Sequence, residues 1–189
     1  MYHDKNKQVL TKSLGTPLVF FLFILCLLVI PFNQSFSQVQ ESTPKKLFLE
    51  ETFESKPVEK KIWLIGDKKN KVHEILGHSY KKIRVGYWST EKTPKTRAWI
   101  LQEIGKEKDI DVAIAIQNNK IQKLRILAFR ESRGWEVKLP FFTEQFDQNQ
   151  LTTDFKLTNQ VNNISGATLS WRAVTKLARL ALYLDSQVK

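Results

Sequence analysis

Ile110-Asp111-Val112-Ala113-Ile114-Ala115-Ile116-Gln117-Asn118-Asn119-Lys120-Ile121-Gln122-Lys123-Leu124-Arg125-Ile126 decides the fold. Its first eight residues alternate as a strand does, with successive side chains on opposite faces. Asn118-Asn119 suits a two-residue turn, because asparagine tolerates the positive φ that a tight hairpin needs. Ile121 to Phe129 then returns, with Ile121, Leu124, Ile126 and Ala128 as the expected inward set. The stretch predicts an antiparallel hairpin. Upstream, Val58 to Ile65, Ile83 to Trp88 and Arg97 to Ile104 read as further strands, and Thr93-Pro94-Lys95 as a turn. Lys69 to Leu76 reads as a helix closed by Gly77, and Leu47 to Phe53 as a short helix.

Downstream of the hairpin, Phe141 to Phe146 predicts a short aromatic helix after Pro140. Residues 147–163 read as a polar loop anchored by Leu151, Phe155 and Leu157. In Ser170 to Asp185, Val174, Leu177, Ala181 and Leu184 recur at helical spacing and predict a buried stripe. Strands with flanking helices and a long antiparallel hairpin make an α+β single domain, with an antiparallel sheet and a C-terminal helix.

Residues 1–37 read as a targeting segment outside the fold argument. Lys5, Lys7 and Lys12 precede an apolar run from Leu18 to Ile30, and Ser35-Phe36-Ser37 suits cleavage before Gln38. The run is thirteen residues, short of the roughly 20 that a membrane span needs, so a signal peptide is expected, with an uncleaved anchor as the alternative. Either places the rest of the chain on the outer face of the cytoplasmic membrane or in the periplasm. Residues 38–46 read as a linker and 47–189 as the domain.

The remaining 152 residues (38–189) are enough for one domain with a real core. They carry no cysteine, since Cys26 is the only one in the chain and Leu25 before it does not suit lipidation. Disulfides, iron–sulfur clusters and thiol chemistry are thereby excluded. The net charge of +11 for the whole chain falls to about +9 without residues 1–37, much of it between Lys56 and Arg97. A basic face of this kind suits an anionic membrane surface, an acidic partner or a phosphate-bearing ligand. Outside the cytoplasm, nucleic acid is not an expected partner. His73 and His78 lack a third converging ligand, so no metal site is expected.

The stretch that carries chemistry is Ile164-Ser165-Gly166-Ala167-Thr168, followed by Leu169, Ser170 and a basic, apolar helix. It sets a hydroxyl beside a glycine at a helix start, where free N–H groups favour a phosphate. The same residues also suit an ordinary N-cap. Upstream stand Glu131-Ser132-Arg133-Gly134 and then Trp135. Glu131 either positions a ligand or caps a turn. Gly134 allows close backbone approach, and Trp135 either stacks on a ring or packs at the core or rim. Arg172 either contacts an anion or is a plain exposed helix residue.

Taken in order, the hairpin, the Glu-x-x-Gly turn, the aromatic helix, the loop, Ser-Gly-Ala-Thr and the last helix resemble the FMN-binding domain family. That family includes subunits of the sodium-translocating NADH:quinone reductase and of the Rnf complex. The resemblance covers roughly residues 83–185. It implies FMN joined through its phosphate to Thr168, with Ile164, Ser165, Gly166, Ala167, Glu131, Gly134, Trp135, Ser170 and Arg172 around it. It also implies a separate flavin transferase that uses FAD and Mg2+, and a membrane-bound redox partner. The expected function is an extracytoplasmic electron carrier. The alternative is a noncovalent flavin- or ligand-binding accessory module of a membrane complex. Two positions depart from the family pattern: Asn162 stands where the motif has Asp, and Arg133 where the turn has proline.

Overall fold

Five antiparallel strands form one meander, with sheet order following chain order. The structure, a computed structural model, describes residues 43–91 and 95–188. The targeting segment, most of the expected linker, and Thr93 and Pro94 of the expected turn lie outside them. Helix α1 spans Pro44–Thr52, β1 Val58–Trp63, α2 Asp67–Leu76, β2 Arg84–Ser89, β3 Thr96–Ile104, β4 Asp109–Gln117 and β5 Lys120–Phe129. A 3-10 turn at Trp135–Lys138, the short helix α3 at Pro140–Thr143 and a second 3-10 turn at Glu144–Phe146 follow, and α4 closes the chain at Thr168–Ser186. The domain is α+β, as predicted.

The hairpin of β4 and β5 turns at Asn118 and Asn119, whose φ angles of 53° and 61° are the positive values the tight turn requires. The alternation along β4 is between large and small apolar residues rather than apolar and polar ones. Ile110, Val112, Ile114 and Ile116 are buried in the main core, which includes α4, while Ala113 and Ala115 are buried in a second cluster with Phe48 and Phe53. Both sheet faces are covered, so both faces of β4 are apolar. Alanine on one face lets the phenylalanines of the α1 segment approach closely.

Two register shifts interrupt the pairing of β4 and β5. Gln122 and Leu127 are the extra residues, and each bulge reverses which face follows. This is why Ile121 points inward with Leu124 and Ile126 although an odd spacing of three separates it from Leu124. Between the bulges, Lys123 and Arg125 fall on the α1 face, where both bond Glu51 of α1.

Several boundaries differ from the sequence expectation: α2 starts at Asp67 rather than Lys69, α4 at Thr168 rather than Ser170, and the expected aromatic helix is α3 plus a 3-10 turn. Helix α1 begins at Pro44, inside the stretch read as linker: Thr43 Oγ1 accepts the N–H of Lys46 at 3.3 Å, and proline is well suited to the first helical position. Strand β1 ends at Trp63 rather than Ile65. Leu64 still turns inward and is buried.

Helix α4 packs on β3 and β4 and touches α2. Val174, Leu177, Ala181 and Leu184 are all fully buried, as their spacing predicted. Its far end is tied to β3. Asp185 accepts from Trp99 Nε1 at 3.0 Å and from Arg97 Nη1 at 3.1 Å. Burial pushes the Asp185 carboxyl up, against the opposing pull of those two donors. The loop from 147 to 163 is held by an isolated pairing of Leu151 with Leu157 and by Phe155 edge-on to Tyr183.

Candidate functional site

The attachment-like segment folds as a turn followed at once by helix. The Ile164 carbonyl accepts the Ala167 N–H at 2.9 Å, and Gly166 takes φ 83° at the third turn position. A Cβ at Gly166 would meet nothing within 4 Å, so the glycine is there for its conformation and leaves the segment open to approach. Thr168 is itself the first residue of α4, and Ala167 occupies the cap position with no side-chain hydrogen bond. The simple Ser/Thr cap reading therefore fails. The first helical hydrogen bond runs from the Trp171 N–H to the Ala167 carbonyl at 2.8 Å. The N–H groups ahead of it have no side-chain cap and are the groups that favour an anion.

Thr168 is half-buried, and its Oγ1 accepts from Asn163 Nδ2 at 3.1 Å. That bond leaves the hydroxyl proton free to leave toward an outside base. Asn162, the position singled out by the sequence, is exposed, and its main-chain N–H donates to Gln145 Oε1 at 2.7 Å. The neighbour rather than the motif position reaches the threonine.

Thr168 lines an open cleft of about 580 Å³ together with Gly166, Ala167, Leu169 and Ser170 on one side and Lys106, Glu131, Ser132 and Arg133 on the other. Glu131 builds the opposite wall. Its Oε1 accepts the N–H groups of Lys106, Glu107 and Lys108 at 2.5, 2.7 and 2.9 Å. Burial pushes its carboxyl up, but the donors from Lys108, Glu107 and Lys106 outweigh this and hold it below the usual carboxylate range. Of the two roles open to Glu131, the structure assigns the turn cap. Gly105 makes room for it, since a Cβ there would lie 2.7 Å from Oε1.

Gly134 is buried, with φ 84°. A Cβ there would lie 2.9 Å from Ser170 Oγ and 3.3 Å from Ala167 Cβ. The close approach seen in the structure is to the start of α4. Gly134 thus lets the Glu131 turn pack closely against the Thr168 segment.

The other predicted residues sit further out. Trp135 is 55 % exposed, and it does not line the cleft. Ser165 is exposed, and Ile164 packs against the main core. Arg172 is exposed a turn further along α4 and does not line the cleft either. The cations at the cleft are Lys106 and Arg133. Sequence reasoning missed Lys106 and Asn163, and noted Arg133 only as a departure from the turn pattern. Nothing local marks Lys106, because only the cap by Glu131 folds its turn toward Thr168.

Among the described residues, no three His, Cys, Asp or Glu side chains converge on a metal-sized site. His78 instead bonds the buried Glu103 at 2.7 Å. The fit to a flavin phosphate rests on the chemistry of the cleft: an accessible hydroxyl, a helix start with no side-chain cap, two cations and an open volume. A family model described as the FMN-binding domain matches residues 105–183, from the β3–β4 turn through most of α4. No curated protein matches the chain. Residues 105–183 are thus similar to the FMN-binding domain, and the match supports flavin binding.

Proposed function

We propose that the chain is an extracytoplasmic electron carrier with FMN held by a phosphoester bond to Thr168 Oγ1. The observation that carries this reading is the placement of Thr168. It is the first residue of α4, it lines the open cleft, and Asn163 orients its hydroxyl. The apolar run at Leu18–Ile30 supports export.

A threonine hydroxyl is a weak nucleophile without a base or metal. The cleft lining holds no histidine, so a separate transferase with Mg2+ supplies the activation. Thr168 Oγ1 attacks the FMN-side phosphorus of FAD, the pyrophosphate bond breaks, AMP leaves, and the hydroxyl proton passes to the transferase. The resulting phosphodiester keeps one negative charge. The first N–H groups of α4 stabilise it, as do Lys106 and Arg133. The flavin supplies the redox chemistry when bound. The protein's own part is to fix the phosphate end, and the Glu131-capped turn forms the facing wall. Electrons come from a membrane-bound reductase and go to an acceptor outside the cytoplasm.

The test is co-expression of the full chain with a flavin transferase, followed by flavin fluorescence on a denaturing gel. Wild type gives a fluorescent band, and Thr168→Val gives none. A dark wild-type band, with the transferase active on a control substrate, overturns covalent attachment. Asn162 in place of the motif Asp favours a second reading, a noncovalent flavin- or ligand-binding module. Flavin that copurifies with the native chain and is released on denaturation identifies that case.

A further inference from the structure

The strand register gathers several chain segments at one end of the sheet. Trp63 pairs with Arg84, Tyr87 with Trp99, Ile104 with Asp109 and Ile110 with Phe129. The end of β1, the start of β2 and the β3–β4 turn therefore lie together, and the Lys106 wall of the cleft belongs to that turn. At this end Trp63 is 51 %, Ile65 67 % and Ile83 65 % exposed. The Leu64 N–H donates to the Ile83 carbonyl at 2.8 Å, so the two segments stay side by side beyond the strands. Ile104, also half exposed, lines a shallow pocket with Lys81 and Lys82.

Large apolar side chains are rarely clustered in the open without a reason. Exposed cations flank them: Lys81 and Lys82 precede Ile83 in the chain and share a pocket with Ile104, and Arg84 follows Ile83. The Arg84 guanidinium lies 5.8 Å from the Trp63 ring. Among the described residues, neither Lys81 nor Lys82 has a carboxylate partner. From residue 59 to 84 the chain holds eight Lys or Arg against three Asp or Glu.

We propose that this end of the sheet docks on an anionic lipid surface. Trp63, Ile65 and Ile83 enter the headgroup boundary, and Lys81, Lys82 and Arg84 meet the phosphates. The chemistry matches both layers of such a surface: tryptophan and isoleucine suit the interface, and each nearby cation is worth roughly a fivefold gain in partitioning. A second copy fits worse. A two-fold contact through this patch sets the same cations against themselves, and the charged edge strand β1, with Lys60 and Lys61 exposed, opposes strand pairing. Docking in this way holds the Thr168 cleft close to the membrane, where a membrane-bound partner is reached. The proposal deepens the electron-carrier reading but does not need the covalent bond at Thr168.

The test is hydrogen exchange of the full chain on two kinds of vesicle, phosphatidylcholine alone and phosphatidylcholine with phosphatidylglycerol. Comparing the two lipids cancels apolar association through residues 1–42, and the attraction of Lys5, Lys7 and Lys12 to anionic lipid is separated by the Lys81 and Lys82 variant, which leaves those three in place. Exchange in residues 62–66 and 80–84 is expected to slow by about tenfold on the anionic vesicles only. Lys81→Glu with Lys82→Glu removes the difference, and Trp63→Ser with Ile65→Ser reduces it, with near-ultraviolet circular dichroism unchanged. Equal exchange on both lipids overturns the proposal. Protection of the same residues in concentrated, lipid-free protein also overturns it, in favour of a second copy. Gel fluorescence at Thr168 is a separate readout, so failure of one reading is distinguishable from failure of the other.

Discussion

Two glycines with almost the same backbone conformation do different work at the cleft. Gly166 and Gly134 have φ angles of 83° and 84°. Around Gly166 there is open space, whereas Gly134 is pressed against Ser170 and Ala167. Gly166→Ala should therefore cost only the left-handed strain, about 1–2 kcal/mol, and Gly166→Asn less, because asparagine tolerates that region. Gly134→Ala adds a steric clash to the strain and should cost about 3 kcal/mol. Gly134→Asn should be no milder. Urea unfolding of the four variants separates the two cases, and equal costs at both positions would contradict the packing argument. Glu131 makes a related point. The sequence left open whether it positions a ligand or caps a turn, and in the structure three backbone N–H groups take up one of its oxygens. A carboxylate in a motif is not free to meet a ligand until its backbone donors are known.

Helix α1 is the element whose role is least visible in its own sequence. It seals the second face of the sheet through Phe48, with Phe53 just beyond its end, against Ala98, Ala113 and Ala115. Phe48 is fully buried, so Phe48→Ala should cost about 3–5 kcal/mol in urea unfolding. A cost below about 1 kcal/mol would mean that this face collapses or is not sealed by α1. The same helix is tied to β5 by the fork of Arg125 on Glu51, with bonds of 2.9 and 2.7 Å, and by Lys123. Bonding to Arg125 and then Lys123 holds the Glu51 carboxyl at about 2. Because that lies below its ordinary value of 4.5, the stabilisation is fully present above about pH 4.5 and is lost as pH falls toward 2. The pair is partly exposed and screened, so its worth is about 0.5 kcal/mol. Glu51→Gln should lower stability by that amount at pH 6 and by progressively less in acid. A difference that is the same at pH 6 and at pH 2 would show that the ion pair is not the cause.

For the molecule as a whole, the sheet has two unlike ends. One carries the cleft, the Glu131-capped turn, and the exposed Trp63, Ile65 and Ile83 among cations. At the other, β4 turns into β5 through Asn118 and Asn119. No described helix is long and apolar enough to cross a membrane. The exchange experiment on anionic and neutral vesicles belongs to this scale. It predicts protection confined to one end of the sheet, with the Asn118–Asn119 turn unaffected. Uniform protection would instead indicate burial of the whole domain.

The sequence by itself determined the periodic features of this protein and the order in which they occur. The hairpin, the buried stripe of α4, the left-handed asparagine turn and the run from Glu131 to Thr168 were all legible. Each depends on neighbours a few residues apart, and local spacing is what a sequence displays. Helix α1 was partly legible, because Pro44 reads as a linker residue unless Thr43 is seen to cap it. Tertiary structure alone decided the walls of the cleft. Lys106 shares the cleft with Thr168 because Glu131 caps the β3–β4 turn, and Asn163 rather than Asn162 reaches the hydroxyl because neighbouring side chains in an irregular segment point different ways. The gathering of Trp63, Ile65 and Ile83 at the cleft end was likewise set by strand register. Register follows from packing across the whole sheet, and no local pattern records it.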